Sequence, residues 1–378
     1  MKFKFWLVYI YMLLFLSLMG QSVLFLNLLD VESSSYYLYQ IALYAMSILL
    51  IFNNLEIFSR HSVLKLACLY FIFAFVISVL KADSLGLRSL FAIAFNTAAM
   101  PLALSVGIVL SKQISTKWQD LILLLAQVPA FVNCFFLLSF PFGVTPDAVF
   151  SIFVFMPFCF FIKRKWLSYL LLLVYLLAIL LTAKRSVLIA YSVCVTFFIL
   201  YNLFLNNTQK AWQRYIFVAA ILFFGYNYIS TKVEYIDGVK DRFERLQDNA
   251  ANGRDDIWTH YANKMSESDM SDILFGHGYA SVLRDLGRGA HNDILEILYD
   301  YGIIVLIIYI VFFIKVFRYL TKSIKISYLR DISTNGLITC LVVLMLSMFN
   351  CILASNLYIF VLFAIMGMSI GFVQNVKK

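Results

Sequence analysis

Long apolar stretches alternate with short polar connections along almost the whole chain. A helix needs roughly 20 mainly apolar residues to cross the hydrocarbon of a bilayer. Twelve stretches meet that need, at about 5–26, 36–53, 62–80, 87–110, 119–140, 146–162, 166–182, 186–205, 211–229, 294–316, 335–354 and 357–373. The pattern predicts an all-α polytopic membrane protein of about twelve transmembrane helices, with residues 1–378 forming a single integral membrane domain.

One segment breaks the alternation. Residues 230–293, between the ninth and tenth spans, are the only long hydrophilic stretch, and a loop of that length in a compact protein is usually functional. Within it, "VEYIDGVKDRFERLQDN" carries Val239, Phe243 and Leu246 at helical spacing. "NGRDDIWTHYANKM" sets Ile257, Trp258, Tyr261 and Met265 on one apolar face, with Asp255, Asp256 and Lys264 away from it. Tryptophan and tyrosine suit a membrane interface, so the loop is expected to lie on the membrane surface as short amphipathic helices, roofing a cavity between the spans. "FGHGY" at 275–279 has two glycines one residue apart, the mark of a tight turn or a close backbone approach.

Composition agrees with the pattern. With 62% hydrophobic and 13% charged residues, the chain has too little polar surface to clothe a soluble globule. The first stretch follows "MKFK" and has no A-x-A-like cleavage site after it, so it reads as a retained helix and not a signal peptide. Cys68, Cys134, Cys159, Cys194, Cys340 and Cys351 all fall inside predicted spans, which leaves no disulfide framework and no metal-type cysteine cluster.

A net charge of +9 raises the question of nucleic acid. The positions of the charges answer it. Lys2, Lys4, Arg60, Lys112, Lys117, "KRK" at 163–165, Lys210, Arg214, Lys315, Arg318, Lys322, Lys325, Arg330, Lys377 and Lys378 fall on alternate connections. This is the positive-inside pattern. It predicts both termini in the cytoplasm, the 230–293 loop on the opposite, outer side of the membrane, and no nucleic-acid partner.

The residues that depart from this pattern are the candidates for chemistry. Lys184 and Arg185, in "LLTAKRSVLIA", put two cations on the outer side, where a phosphate-bearing lipid would give them a reason. Arg254 opens the second loop helix, one turn before Trp258, and a guanidinium can grip two diphosphate oxygens at once, which lysine cannot. Its plainer reading is a surface partner for Asp255 or Asp256. His291, in "GAHNDILEIL", stands at the entrance of the tenth span, with Asn292 beside it to orient the ring or an acceptor sugar. Glu296 and Asp300, four apart, share one helix face, where carboxylates are costly unless they line a polar cavity. Helical spacing puts them 140–180° round from His291, against a direct pair. Asp30 and Glu32, a D-x-E pair in the first outer loop, resemble metal-binding acids but read more simply as solvated loop residues.

Taken in order, "TAKRS", "GRDDIW", "FGHGY" and "HNDILEILYDYGII" resemble the O-antigen polymerase and O-antigen ligase superfamily over about 182–305. The resemblance implies a glycosyltransferase acting outside the cytoplasmic membrane on glycans linked to undecaprenyl diphosphate. It implies diphosphate-binding roles for Arg185 and Arg254 and a base role for His291. By their own positions, Lys184, Asn292, Glu296, Asp300, Trp258 and His277 are the substrate-binding candidates. Two departures stand out: Lys184 where members often have a small residue, and His277 where an aliphatic residue is common. No metal or other cofactor is expected. The expected partners are lipid-linked oligosaccharides, membrane lipid and a chain-length regulator protein. The favoured reaction is polymerisation, ahead of ligation to the lipid A core. A lipid-linked-sugar flippase is the reading of a different class, weakened by the gathering of unusual charges at one face and by the lack of repeats.

Overall fold

The computed structural model describes residues 34–82, 86–113, 119–139, 149–182, 184–204, 254–287, 289–349, 353 and 355–377. Among the described residues there is no strand, and five helices are long and apolar enough to cross a membrane: Ser62–Leu80, Ser89–Lys112, Asp293–Ile324, Ser327–Phe349 and Tyr358–Asn375. The helices are α1 Ser34–Phe52, α2 Glu56–Arg60, α3 Ser62–Leu80, α4 Leu87–Gln113, α5 Gln119–Leu125, α6 Val128–Ser139, α7 Phe150–Phe153, α8 Lys165–Thr182 and α9 Arg185–Phe204. After these come α10 Arg254–Ser266, α11 Met270–Phe275, α12 Ser281–Leu286, α13 Asp293–Ile324, α14 Arg330–Phe349 and α15 Asn356–Lys377. The stretches 5–26 and 211–229, the loop residues 230–253, and Asp30 and Glu32 lie outside the described residues.

Two expected spans are not continuous helices. The stretch 119–140 is split into α5 and α6, because Pro129 has no N–H for the bond that would carry the helix through. The stretch 146–162 becomes α7 followed by a 3-10 helix, Met156–Phe161, with Pro157 in its first turn. Every residue from Val149 to Ile162 is buried, and irregular backbone at membrane depth is tolerated where protein surrounds it. Side chains from other helices take up its carbonyls. Ser168 Oγ donates to Cys159 at 2.8 Å, Asn335 Nδ2 to Phe160 at 2.6 Å and Gln119 Nε2 to Phe161 at 3.0 Å.

Among the described helices, α4 and α15 meet backbone to backbone. A Cβ on Gly107 would stand 1.9 Å from the carbonyl oxygen of Ala364, and one on Gly367 would stand 2.1 Å from that of Leu104. Only glycine lets the two backbones meet at that distance, as in small-residue packing between membrane helices.

Polar contacts sort the helix ends into two sets. At one end Lys112 pairs with Glu56, Asp120 accepts from the backbone of Lys163 and faces Arg164, and Tyr201 donates to Asp331. At the other, Lys81 pairs with Asp272, Asn96 donates to Tyr279, and Lys184 lies over the ring of Phe150, which touches Tyr358. The turn at Lys184 therefore shares an end with the described part of the long loop. The basic connections at 112, 163–165 and 330 lie at the opposite end.

Candidate active site

The site grows from a break in α13. Gly302, with φ 77° and ψ 177°, interrupts the helix nine residues after Asp293 opens it. Beside the break, the carbonyl of Tyr299 accepts from His277 N at 2.9 Å and that of Asp300 from Gly278 N at 2.8 Å. A Cβ on Gly302 would lie 2.3 Å from the Leu274 carbonyl oxygen, and one on Gly276 would lie 2.4 Å from that of Asp300. The glycine turn of "FGHGY" thus sits directly on the glycine break of α13. The Asp300 carboxylate completes the joint: it accepts from Ala280 N at 3.0 Å, Ser281 Oγ at 2.8 Å and Val282 N at 3.1 Å, fixing the first turn of α12.

The loop helices use their apolar faces on the protein itself. Ile257 and Tyr261 are buried, and Tyr261, Val282, Ala290 and Tyr299 form a small core with Met265 and Leu295 packed against it. The expected membrane-facing side of α10 is thus spent on roofing the site, because Tyr299 and Ala290 offer a closer apolar partner than lipid. Trp258 stays partly exposed and donates its indole N–H to the carbonyl of Ala290 at 3.2 Å.

His291 is not in the helix. It has φ 53°, a left-handed conformation that costs a residue other than glycine about 1–2 kcal/mol. Asn292 follows as the helix cap, its Oδ1 accepting from Ile294 N at 2.9 Å and Leu295 N at 3.3 Å. Because His291 turns before the helix starts, the angle read from helical spacing does not apply to it. His291, Glu296 and Asp300 line one cavity of about 350 Å³. Its other walls include Tyr70 of α3, Asn96 and Met100 of α4, Tyr279 of the glycine turn, Tyr301 of α13 and Leu353. None of its described lining residues is lysine or arginine.

The remaining candidates sort by position. His277 is not among the described lining residues. Its ring packs on Tyr299 with centroids 4.4 Å apart, its Nε2 is 3.2 Å from Ser268 Oγ, and its Nδ1 is 3.8 Å from Asp272, the partner of Lys81. These contacts make His277 a strut between α11 and α13. His260 is exposed on α10. Arg185 and Arg254 are the first residues of α9 and α10, and Arg254 thus stands one turn before the tryptophan that reaches Ala290. Lys184 Nζ lies 5.4 Å from the centre of the Phe150 ring. Among the described residues, no group of three or more His, Cys, Asp or Glu is placed to hold a metal ion.

Sequence reasoning passed over most of the cavity wall. Asn96, a lone amide in the run "FAIAFNTAAMPLAL", carried a usable signal. Tyr70 and Tyr301 did not, being two of 23 tyrosines in an aromatic-rich chain.

Helical throughout its described residues, with five helices long and apolar enough to cross a membrane and a histidine-lined cavity roofed by short helices at one end, this is a polytopic membrane protein with a candidate site at that end. A family model described as O-antigen ligase matches residues 169–310, the stretch from α8 to the middle of α13 that includes the loop, the glycine turn and His291. Over that stretch the chain is similar to the O-antigen polymerase and ligase superfamily. Among curated proteins none matches the chain.

Proposed function

We propose that this protein is a surface-polysaccharide polymerase of the bacterial inner membrane. It transfers the growing glycan from undecaprenyl diphosphate to a new lipid-linked repeat unit on the periplasmic side. The observation that carries the reading is the cavity. A histidine in a left-handed turn shares it with tyrosines, an amide and two carboxylates, surroundings that suit an uncharged sugar hydroxyl beside a base. The positive-inside distribution, with the basic connections opposite the cavity, supports the periplasmic orientation.

In this mechanism the acceptor hydroxyl oxygen attacks the anomeric carbon of the donor from the side opposite the diphosphate. The bond from that carbon to the phosphate oxygen breaks, the diphosphate leaves with the electron pair, and the hydroxyl proton passes to His291. The anomeric centre is inverted. Arg185 and Arg254 stabilise the charge that develops on the leaving diphosphate, so that arginines do what a divalent ion does in other transferases. Arg185→Lys and Arg254→Lys keep the charge but lose the planar two-point grip. Each is expected to lower the release of undecaprenyl diphosphate about 10-fold or more at normal protein level, since a hydrogen bond to a charged group contributes about 1.5–3 kcal/mol. Wild-type turnover by Arg254→Lys would leave that residue a surface ion-pair partner.

The family description favours a second reading, ligation of the finished glycan to a lipid A core sugar. Deleting the gene and examining the surface polysaccharide decides between the two. Core carrying a single repeat identifies the polymerase. Full-length chains left on undecaprenyl diphosphate identify the ligase.

A further inference from the structure

The peptide just before His291 is held from both sides by side chains that sequence reasoning assigned to substrate. Ala290 is fully buried. Its N–H donates to Glu296 Oε1 at 3.0 Å, and its carbonyl accepts from Trp258 Nε1 at 3.2 Å. A residue has one backbone donor and one backbone acceptor, so both hydrogen-bonding groups of Ala290 are engaged, one by the first turns of α13 and one by the roofing helix α10. On the other side, Asn292 is locked by its own cap bonds to Ile294 and Leu295. His291 is the single residue between two fixed points, and it bridges them with φ 53°.

We infer that Glu296 and Trp258 are positioning residues, which clamp the Ala290 peptide so that His291 is held in its left-handed turn at the cavity. The inference rests on the reading of His291 as the base. A short flexible junction would let the residue relax to a right-handed or extended backbone, where its Cα–Cβ bond points elsewhere. The clamp blocks that relaxation. Because one half of it comes from α10, the docking of α10 on α13 that roofs the cavity also sets the base. Glu296 also lines the cavity, which makes direct substrate binding the competing role and gives the test its shape.

The substrate for the test is the lipid-linked saccharide in solubilised membranes from cells lacking the protein, with purified variants added back and release of undecaprenyl diphosphate followed. Glu296→Ala and Trp258→Phe are each expected to lower kcat about 10-fold to 100-fold, the scale of a misplaced catalytic group, with KM for the lipid-linked saccharide unchanged. Glu296→Gln keeps an oxygen that can accept from Ala290 N and should stay within about 3-fold of wild type. In a His291→Ala background, adding Glu296→Ala or Trp258→Phe should cost less than about 2-fold, because residues that act as a unit are not additive. Equal losses in both backgrounds, or a raised KM with unchanged kcat, overturn the positioning role and leave the base intact. If His291→Ala alone works at near wild-type rate, the base reading fails and the inference fails with it. Monodisperse elution and an unchanged thermal midpoint accompany every variant, and Glu296→Gln and Trp258→Phe remain informative if Glu296→Ala does not fold.

Discussion

His291→Ala is expected to lose about 100-fold to 10,000-fold in turnover, the range that general-base help supplies, while the lipid-linked saccharide still binds. Polymer should be undetectable in cells at normal membrane levels of the protein. The comparison with the other histidines makes the experiment specific. His277→Ala removes a ring packed on Tyr299 and a contact with Ser268, and His260→Ala removes an exposed side chain, so both should keep substantial activity. His277→Ala is the more costly of the two, through a looser glycine turn and a lower thermal midpoint. If His291→Ala turns over like wild type while His277→Ala does not, the base has been assigned to the wrong histidine.

Gly302→Ala is expected to be the most damaging small substitution in the described helices of the site. Its backbone, φ 77° and ψ 177°, lies in a region open essentially to glycine, where strain costs about 1–3 kcal/mol. The added methyl would also stand 2.3 Å from Leu274 O and 2.6 Å from Gly276 N, and forced overpacking of that kind costs a further 1–3 kcal/mol or so. Neither neighbour is a flexible side chain that can give way. The expected result is a loop that no longer docks: cleavage by a protease within 254–287, a lowered thermal midpoint in detergent, and no activity. Gly287→Ala is the control. Gly287 also has positive φ, at 69°, but a Cβ there meets nothing within 4 Å, so only the roughly 1–2 kcal/mol of left-handed strain applies. Equal stability of the two variants would show that the contact of the glycine turn with α13 is not what holds the loop.

How much of this was legible depended on the kind of information each feature carries. Length and apolarity of a run are local, and the described helices α1, α3, α4, α8, α9 and α15 begin and end within about four residues of the runs that predict them. By contrast, α14 starts at Arg330, ahead of its run at 335, and α13 continues to Ile324, well past its expected end at 316. The interruptions were written in the same runs. Pro129 and Pro157 sit inside apolar stretches, and hydropathy alone reads over them. The pair Gly367 and Gly371, four apart in "GMSIG", was likewise available as a packing signal. The two glycines of "FGHGY" announced a close backbone approach, which proves to be to α13. What no local pattern announces is which side of the cavity a residue faces once the helix has ended. His291 was placed opposite Glu296 and Asp300 by helical spacing, and it joins them because its φ is 53°. Tyr70 and Tyr301 reach the cavity through tertiary packing alone.

The broken stretch from α5 to the 3-10 helix has a consequence for how the chain is made. A nascent segment can leave the insertion machinery sideways into lipid only if it satisfies its own backbone. The piece Met156–Phe161 does not, since the carbonyls of Cys159, Phe160 and Phe161 accept from side chains of other helices. The Phe160 carbonyl waits for Asn335, 175 residues later in the chain. Until α14 has been synthesised, this segment has no stable place in the bilayer. Its seating is a late event of biogenesis, the kind of step at which a membrane chaperone or quality-control protease would recognise the unfinished protein.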